Sequence, residues 1–439
     1  IVIGILAIVG VIVMLIVNPA ELFSQSRDTR RMIDLKNIDS AVRLARTESI
    51  FMGNPNIVYI SVPDPVLSGN ATSTCPNMGL PPLDPSWKYN CVSQDNLTKN
   101  TGAGWIPINF SSLGVGSPFA SLPIDPENTT SSWRYYRYIA DSKGKYIAVS
   151  GLYSNKFKPE AAKDGGNDSE KFEVGTNMSL WEESKKYYGL VRESCVGYTN
   201  CFTSLNQWEA NYSGIPFGSC TIGDLNCVDK IAVAKIDGTW TNPDTTATNI
   251  DGWKTSANNY IKIYTTATAR HNGKWNDGKY RLAGSFDYGF AIGIIEEYLW
   301  IDGLEIDNTA AKNTQIKGIR TQISNTLSLV KISNSIVRAT GLGVATSSSI
   351  GIYLDGSLNY QIWNNIVYGY YGGIASDYET NTVNYYIYNN TTVDNVGKGF
   401  YIIGNSTPIF KVINNLSNNN GIGFDTSNLD VAYNNLSSE

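Results

Sequence analysis

Histidine is almost absent: the 439-residue chain contains one, His271. Catalysis by a His-dependent triad, or binding of a metal at a His-rich site, would therefore have to use this single residue. It lies in the segment Ala-Arg-His-Asn-Gly, which is typical of a loop rather than of a general base. Charge is also sparse, at 17% of residues with a net charge of −5. Because phosphate neutralisation needs a basic face, we expect no nucleic-acid partner.

No Cys-x-x-Cys motif occurs, so a zinc knuckle is not expected. The six cysteines fall instead as three close pairs along the chain. We predict that these pairs are local disulfides in an oxidising compartment. The predicted disulfides are Cys75–Cys91, Cys195–Cys201 and Cys220–Cys227.

Twelve Asn-x-Ser/Thr sequons are scattered over the chain. In a sequence rich in Asn, Ser and Thr many arise by chance, so they permit surface glycans without proving them. The candidate glycosylation sites are Asn70, Asn96, Asn109, Asn128, Asn177, Asn211 and Asn390.

The longest apolar run is at the N-terminus, where residues 1–17 read IVIGILAIVGVIVMLIV. As a helix this run would be about 25 Å long, near the minimum for crossing a bilayer. A signal-peptide core is the alternative, but it would follow basic residues and end at a small-residue cleavage site. From Met32 to Ala45, apolar residues recur every three or four positions, which predicts an amphipathic continuation of the helix. Pro19 could kink it.

The segment IVIGILAIVG followed by NPAELFSQSRDTRRMIDLKNIDSAVRLA resembles the N-terminal helix of type IV pilins and pseudopilins. Leu122–Pro126 and Lys171–Asn177 resemble parts of the head domain of that family. The family's prepilin-peptidase site, aromatic first residue and nearby glutamate do not precede Ile1. The resemblance implies a transmembrane and filament-core helix over residues 1–50 and a head domain over 51–180. The residues expected to drive assembly are Ile1, Ile5, Ile8, Val11, Leu15 and Pro19.

Short β-type runs separated by turns follow the helix and predict a small antiparallel sheet, giving an α+β head. The predicted strands are Asn56–Ser61, Trp105–Phe110, Arg134–Ala140 and Tyr146–Ser150. The later segment KDGGNDSE offers a weak calcium site, the only cofactor considered, although it lacks the spacing and final glutamate of an EF-hand. A solvated acidic turn is the alternative reading. The possible calcium ligands are Asp164, Asn167, Asp168 and Glu170.

Residues 181–228 carry the last four cysteines and are expected to form a connector. From residue 229 onward, strand-like segments alternate with glycine-rich turns, and an Asn-Asn doublet recurs. The steps from Gly303 to the successive asparagines are 31, 30, 25, 25 and 20 residues. This repeat predicts an all-β right-handed parallel β-helix with a ladder of asparagines, resembling the pectate-lyase-like superfamily in architecture only. A β-sandwich is the alternative. The predicted ladder is Asn334, Asn364, Asn389, Asn414 and Asn434.

The repeats contain neither an Asp-Asp pair nor a Gly-His-Gly motif, and their aspartates lie at different offsets, so we expect no enzyme. We expect a structural subunit of an extracellular, cell-surface, type IV pilus-like filament that displays the β-helix for adhesion or glycan binding. Its partners would be identical subunits, the pilus assembly machinery, the cytoplasmic membrane before assembly, and surface glycans bound by exposed tyrosines. The alternatives are a membrane-anchored polysaccharide lyase or hydrolase and a minor pseudopilin or tip adhesin.

Overall fold

The structure, a computed structural model, describes residues 18–286, 289–310, 315–323, 328–341, 348–356, 358–376, 384–403, 409–427 and 431–438. The chain divides into two compact units, Ile1–Lys186 and Tyr187–Glu439.

Four α-helices occur in the described residues. They are α1 (Pro19–Thr47), α2 (Ser179–Lys185), α3 (Leu205–Ala210) and α4 (Leu225–Val228). Three 3₁₀ helices span Phe110–Ser112, Lys158–Lys163 and Tyr212–Gly214. The side chain of Asn18 accepts a hydrogen bond from the amide of Glu21, and Pro19 occupies the first turn of α1, where proline is tolerated.

Within the part of the chain that the structure describes, no helix has the length and apolar character needed to span a bilayer. The expected assembly residues Ile1, Ile5, Ile8, Val11 and Leu15 lie outside the described residues.

The first unit contains one six-stranded sheet. Its strands are β1 (Ile57–Ile60), β2 (Thr72–Ser73), β3 (Lys88–Val92), β4 (Arg137–Ala140), β5 (Tyr146–Gly151) and β6 (Lys171–Gly175), in the order β2-β3-β1-β4-β5-β6. Neighbours are antiparallel except β1 and β3, which pair in parallel. The prediction of an antiparallel sheet is therefore only partly confirmed. Trp105–Phe110 is a loop, because Pro107 removes a ladder donor and the side chains fill the core instead of alternating.

Helix α1 covers one face of this sheet. Its residues Leu35, Ile38 and Val42 are fully buried against a layer that includes Tyr138 of β4. Ile139, the next residue in β4, belongs to a second core on the opposite face, since successive strand residues point to opposite sides. Both faces of the sheet are thus covered.

The second unit is built from three sheets whose strands pair in parallel. Sheet 1 contains β7 (Lys186–Val191), β8 (Cys201–Phe202), β9 (Ile231–Ile236), β11 (Ile261–Thr265), β14 (Leu299–Asp302), β17 (Leu329–Ser333), β20 (Asn359–Trp363), β23 (Asn384–Tyr388), β26 (Ile409–Ile413) and β29 (Val431–Tyr433). Sheet 2 contains β10 (Thr248–Ile250), β13 (Phe290–Ile294), β16 (Lys317–Ile323), β19 (Ile350–Gly356), β22 (Gly372–Ser376), β25 (Lys398–Ile403) and β28 (Ile422–Ser427). Sheet 3 contains β12 (Arg281–Gly284), β15 (Glu305–Asn308), β18 (Ile336–Ala339), β21 (Ile366–Tyr368), β24 (Thr391–Val393), β27 (Leu416–Asn418) and β30 (Leu436–Ser438).

The chain visits the three sheets in turn and returns to the same sheet one strand further on, which is a parallel β-helix. The predicted architecture is confirmed at this level, and the β-sandwich is excluded because its strands would pair antiparallel. Identical register from coil to coil stacks the inward aliphatic side chains into columns. One fully buried column in sheet 1 is Ile263, Ile301, Ile332, Ile362, Ile387 and Val412.

The segment 181–228, expected as a connector, is folded. Helix α2 closes the first unit, β7 and β8 belong to sheet 1, and α3 and α4 contribute to the core of the β-helix. Leu205 and Trp208 of α3 are fully buried against the first coils. Since an open solenoid end would expose its apolar core, this segment acts as the N-terminal cap.

Candidate functional site

Helix α1 exposes three large apolar side chains, called here the exposed stripe, with polar residues such as Ser26 and Arg30 between them. Leu22, Phe23 and Ile33 are 50%, 67% and 53% exposed. Leu22 and Ile33 are eleven residues apart, about three turns, so they lie on the same side of the helix. Leu35, which faces the sheet, lies about 200° around the helix from Ile33. Exposed aromatic and aliphatic residues in such a row mark an interaction surface.

Arg31, near the middle of α1, fixes the helix to the head. This guanidinium is 1% exposed and contacts Asp28 at 2.8 Å, Asp125 at 2.6 and 2.9 Å, and Glu127 at 2.9 Å. The other oxygen of Asp28 accepts the backbone amides of residues 153 and 154 at 2.9 and 2.7 Å. Part of the charge of α1 is thus paired inside the subunit.

Two tyrosines form hydrogen bonds with carboxylates in the C-terminal half of α1. Tyr136 donates its hydroxyl to Asp34 at 2.9 Å, and Tyr146 donates to Asp39 at 2.6 Å. Burial, with the neighbouring carboxylates, raises the pKa of both hydroxyls above their usual range. Both phenols therefore stay protonated donors, and both bond α1 to the sheet.

The loop expected to bind calcium is occupied by its own hydrogen bonds. Asp164 accepts the amides of Gly166 and Glu173 at 2.7 and 2.6 Å. Asp168 is buried and faces Trp181 and Lys185, whereas Asn167 and Glu170 are exposed. Among the described residues no cluster of three or more potential metal ligands is present. The calcium prediction is wrong, because the two aspartates already have donors and the other two side chains face solvent.

The expected asparagine ladder is displaced by one residue. Asn334, Asn364, Asn389, Asn414 and Asn434 have φ between 50° and 56°, the left-handed conformation that asparagine tolerates better than most residues. The second asparagine of each doublet turns inward and forms the ladder. Its members are Asn365, Asn390, Asn415 and Asn435. The first three are 1% exposed, and Asn435 is half-buried.

The first three ladder asparagines each donate two hydrogen bonds to the next asparagine of the ladder. Asn390 Oδ1 accepts the backbone amide and the side-chain amide of Asn365 at 3.1 and 3.0 Å, and Asn390 Nδ2 donates to the carbonyl of Ile362 at 2.9 Å. A second, shorter row joins Asn395 to Asn420 in the same way. The ladder satisfies buried backbone groups at the turns between sheets 1 and 3.

The disulfides are Cys75–Cys91, Cys195–Cys201 and Cys220–Cys227, as expected. The first joins β3 to the segment after β2, and the other two lie within the N-terminal cap. All six cysteines are paired. Each bond closes a short loop of the chain, which restricts the unfolded state.

Two of the seven candidate sequons are inaccessible. Asn96 and Asn390 are 2% and 1% exposed, and their Nδ2 atoms donate to the carbonyls of Gly69 and Ile362. A glycan would be attached through that same nitrogen, so these two predictions are corrected. Asn70, Asn109 and Asn211 are exposed, and Asn128 and Asn177 are half-buried.

The tyrosines considered for glycan stacking divide between the interior and the surface. Tyr370 and Tyr385 are fully buried in the β-helix core. Tyr368, Tyr371, Tyr386 and Tyr388 are half-buried. On the outside of sheet 1, Tyr388 stacks on Trp363 with centroids 5.8 Å apart and planes inclined by 5°. This stack covers one face of the Tyr388 ring, a face that a sugar would otherwise use.

Four aspartates of the β-helix form ion pairs with Arg or Lys side chains and are not grouped in a cleft. Their ion pairs are Asp302 with Arg270, Asp307 with Arg338 at 2.9 Å, Asp355 with Arg320 at 2.7 Å, and Asp425 with Lys398 at 2.6 Å. Asp394 accepts the side-chain amide of Asn419 at 2.6 Å. Each contact links neighbouring coils, and Asp377 lies outside the described residues.

Both ring nitrogens of His271 are hydrogen-bonded. Nδ1 accepts the amide of Gly273 at 3.1 Å, so Nε2 carries the proton and donates to the carbonyl of Asn334 at 2.8 Å. Burial lowers the pKa of the imidazole.

Glu305 is buried beside the loop that contains His271, and its Oε1 accepts the amide of Asn276 at 2.7 Å. Burial raises the pKa of Glu305 to about 7.

Replacing Glu305 by Gln should change how stability depends on pH. The folded pKa of about 7 lies above the ordinary value of 4.5, so the folded chain keeps a proton that the unfolded chain loses between these pH values. Wild-type stability should fall across this window as pH rises. E305Q should remove up to about 3 kcal/mol of that fall, measured by urea denaturation at pH 4.5 and 7.5. The same change at exposed Glu170 serves as control, and an equal pH dependence in wild type and E305Q would contradict the assignment.

Comparison of the chain with protein-family models, curated proteins and solved structures finds no match. Function is therefore inferred from the residues and contacts described above.

Proposed function

We propose that the protein is the structural subunit of an extracellular filament of the type IV pilus kind, which polymerises through its N-terminal helix. The observation that carries the proposal is the exposed stripe of Leu22, Phe23 and Ile33 on a helix whose opposite side is anchored to the head. In the sequence this helix follows the apolar run of residues 1–17. An apolar stripe continuing from such a run is stabilised by packing against identical parallel helices.

Filament growth also requires a contact that does not close into a ring. A stripe on one subunit that packs against a different surface of the next gives an open, heterologous helical array. The anchoring of α1 by Arg31, Tyr136 and Tyr146 supports this arrangement, because a helix fixed to its head transmits one geometry to every subunit. Such a fixed geometry is what a regular filament needs.

The β-helix is proposed to be the displayed part of the subunit. Its coils are right-handed on the general preference of parallel crossover connections. The asparagine ladder and the inter-coil ion pairs make it self-supporting, and its N-terminal end carries a disulfide-bonded cap. These features suit an exported, surface-exposed module for adhesion.

The test is filament formation in cells that carry the native leader and pilus machinery, scored by electron microscopy. Replacing Leu22 and Phe23 by Glu should abolish filaments, because two charges would be buried between helices. Lys36→Glu, an exposed change on the same helix, should leave filaments intact. A chain ending at Lys186, the last residue of the first unit, should still form filaments, but thinner ones.

The fold of each variant is checked by formation of the Cys75–Cys91 disulfide. Folded Glu variants that assemble normally would contradict the proposal. A folded, truncated chain that never assembles would show that the β-helix belongs to the filament scaffold.

A further inference from the structure

A lysine and an aspartate are buried together where the first unit ends. Lys185, the last residue of α2, is 2% exposed, and Asp168, in the turn before β6, is 5% exposed. Lys185 Nζ lies 3.1 Å from Asp168 Oδ2. Removing both charges from water is costly, and replacing such pairs by apolar residues often stabilises proteins. The pair therefore needs a reason other than stability.

The carboxyl group of Asp168 is held in a fixed orientation. Its Oδ2 also accepts the indole N–H of Trp181 at 2.8 Å, and its Oδ1 accepts the backbone amide of Glu170 at 3.0 Å. The Trp181 ring shields the site, with its centroid 6.0 Å from Lys185 Nζ. These two donors hold the carboxyl group in place while Lys185 Nζ lies 3.1 Å from its Oδ2, so the amine and the carboxyl group are held in contact.

A second carboxyl group adjoins the pair. Glu173 is 1% exposed, and its Oε2 accepts the backbone amide of Asp168 at 2.9 Å. Its Oε1 is buried and makes no hydrogen bond. Burial raises the pKa of Glu173 to about 8, so this group holds a proton at neutral pH. Because its carboxyl group bonds to the backbone of Asp168, it is the neighbouring acid to which a proton-transfer role can be assigned.

We propose that Lys185 and Asp168 condense to form an intramolecular amide, an isopeptide bond, with Glu173 relaying protons. In the low-dielectric site a proton passes from the ammonium to the carboxylate, which gives the neutral amine and acid. The amine nitrogen attacks Cγ, an N–C bond forms, one C–O bond breaks, and the oxygen leaves as water. The backbone amide of Glu170 stabilises the negative charge on Oδ1 in the tetrahedral intermediate, and Oδ2, beside Trp181, is the oxygen that leaves as water. The net change is ammonium plus carboxylate to amide plus water, with no oxidant required.

The bond would close a loop of 17 residues and join α2 covalently to the turn before β6. It replaces a desolvated ion pair by an uncharged amide, and unlike a disulfide it survives reduction. The inference is independent of the proposed filament, although a permanent cross-link at the end of a unit suits a surface protein under mechanical load.

The test is the intact mass of the purified, full-length chain after denaturation and reduction of its disulfides. We expect a mass lower than that of the sequence by one water. Because trypsin cannot cleave after an acylated lysine, a digest should give one branched product joining residues 164–171 to residues 172–186. Full sequence mass and two separate peptides, after prolonged incubation of the folded protein, would overturn the proposal.

Four variants test which side chains take part in the reaction. Lys185→Arg keeps the charge but removes the nucleophile and should restore the full mass, whereas Lys186→Arg at the next position should keep the loss of water. Asp168→Asn should lose ammonia in place of water or give no bond. Glu173→Gln keeps an acceptor for the Asp168 amide and should slow the reaction at least tenfold in freshly refolded protein. Loss of water in K185R would place the modification elsewhere, and an unchanged rate in E173Q would exclude the relay.

Discussion

Replacing Arg31 by Ala should destabilise the first unit by about 3–5 kcal/mol, the cost of leaving a buried carboxylate without its cation. Three carboxyl groups converge on this guanidinium, and two of them, Asp28 and Asp125, have fully buried side chains. Urea denaturation of the full chain, followed by hydrogen exchange of α1, measures the effect.

Arg27 provides a matched control on the same helix. Its side chain is 46% exposed and makes a single 3.2 Å contact with Glu127, so R27A should cost about 0–1 kcal/mol. R31K should lie between the two, because one ammonium cannot replace the planar fork that bonds to Asp125 at two atoms. If R31A and R27A cost the same, Arg31 does not hold α1 to the head.

Replacing Asn390 by Ala should destabilise the middle coils by about 2–4 kcal/mol. The change removes the acceptor for both amides of Asn365 and the donor to Ile362, all of them buried, and an unsatisfied buried group costs about 1–3 kcal/mol. Hydrogen exchange of β20 and β23 in the full chain reports the loss. The effect should spread to the Asn415 coil, since the ladder bonds are coupled.

Substitutions at the adjacent Asn389 separate the contribution of the ladder from that of the turn conformation. It is exposed, with φ of 56°, so N389A should cost only about 1–2 kcal/mol for a side chain in the left-handed region. N389G should be close to neutral, because glycine adopts this conformation freely. An N389A cost equal to or above that of N390A would place the ladder on the first asparagine of each doublet.

The doublet shows what a repeat in the sequence can and cannot predict. The recurring spacing of Asn-Asn identified a solenoid with stacked turns, because stacking places the same residue at the same position in successive coils. The choice between the two asparagines depends on which one adopts the left-handed conformation. Both are polar and both tolerate it, so only the backbone path decides that the second points inward.

The two buried ion-pair sites could not have been found from the sequence. Arg31 lies among exposed arginines on an amphipathic helix, and its partners Asp125 and Glu127 are more than ninety residues away. Asp164 and Asp168 are close in the chain, which favoured a calcium site. In the structure the oxygens of these aspartates accept hydrogen bonds from backbone amides and from Trp181 and Lys185 of α2. The spacing of these residues in the sequence does not show that they meet.

The sequence by itself determined the long amphipathic helix, the parallel β-helix and the cysteine pairing. Each of these follows from a local pattern: an apolar period of about 3.6 residues for the helix, steps of 20 to 31 residues for the coils, and short separations for the disulfides. Tertiary structure alone decided that α1 keeps an uncovered stripe at Leu22, Phe23 and Ile33, that Arg31 is buried, and that Lys185 meets Asp168 beside Glu173. The physical reason is that burial and charge pairing depend on contacts between segments that are distant in the chain. Local periodicity carries no information about those tertiary contacts.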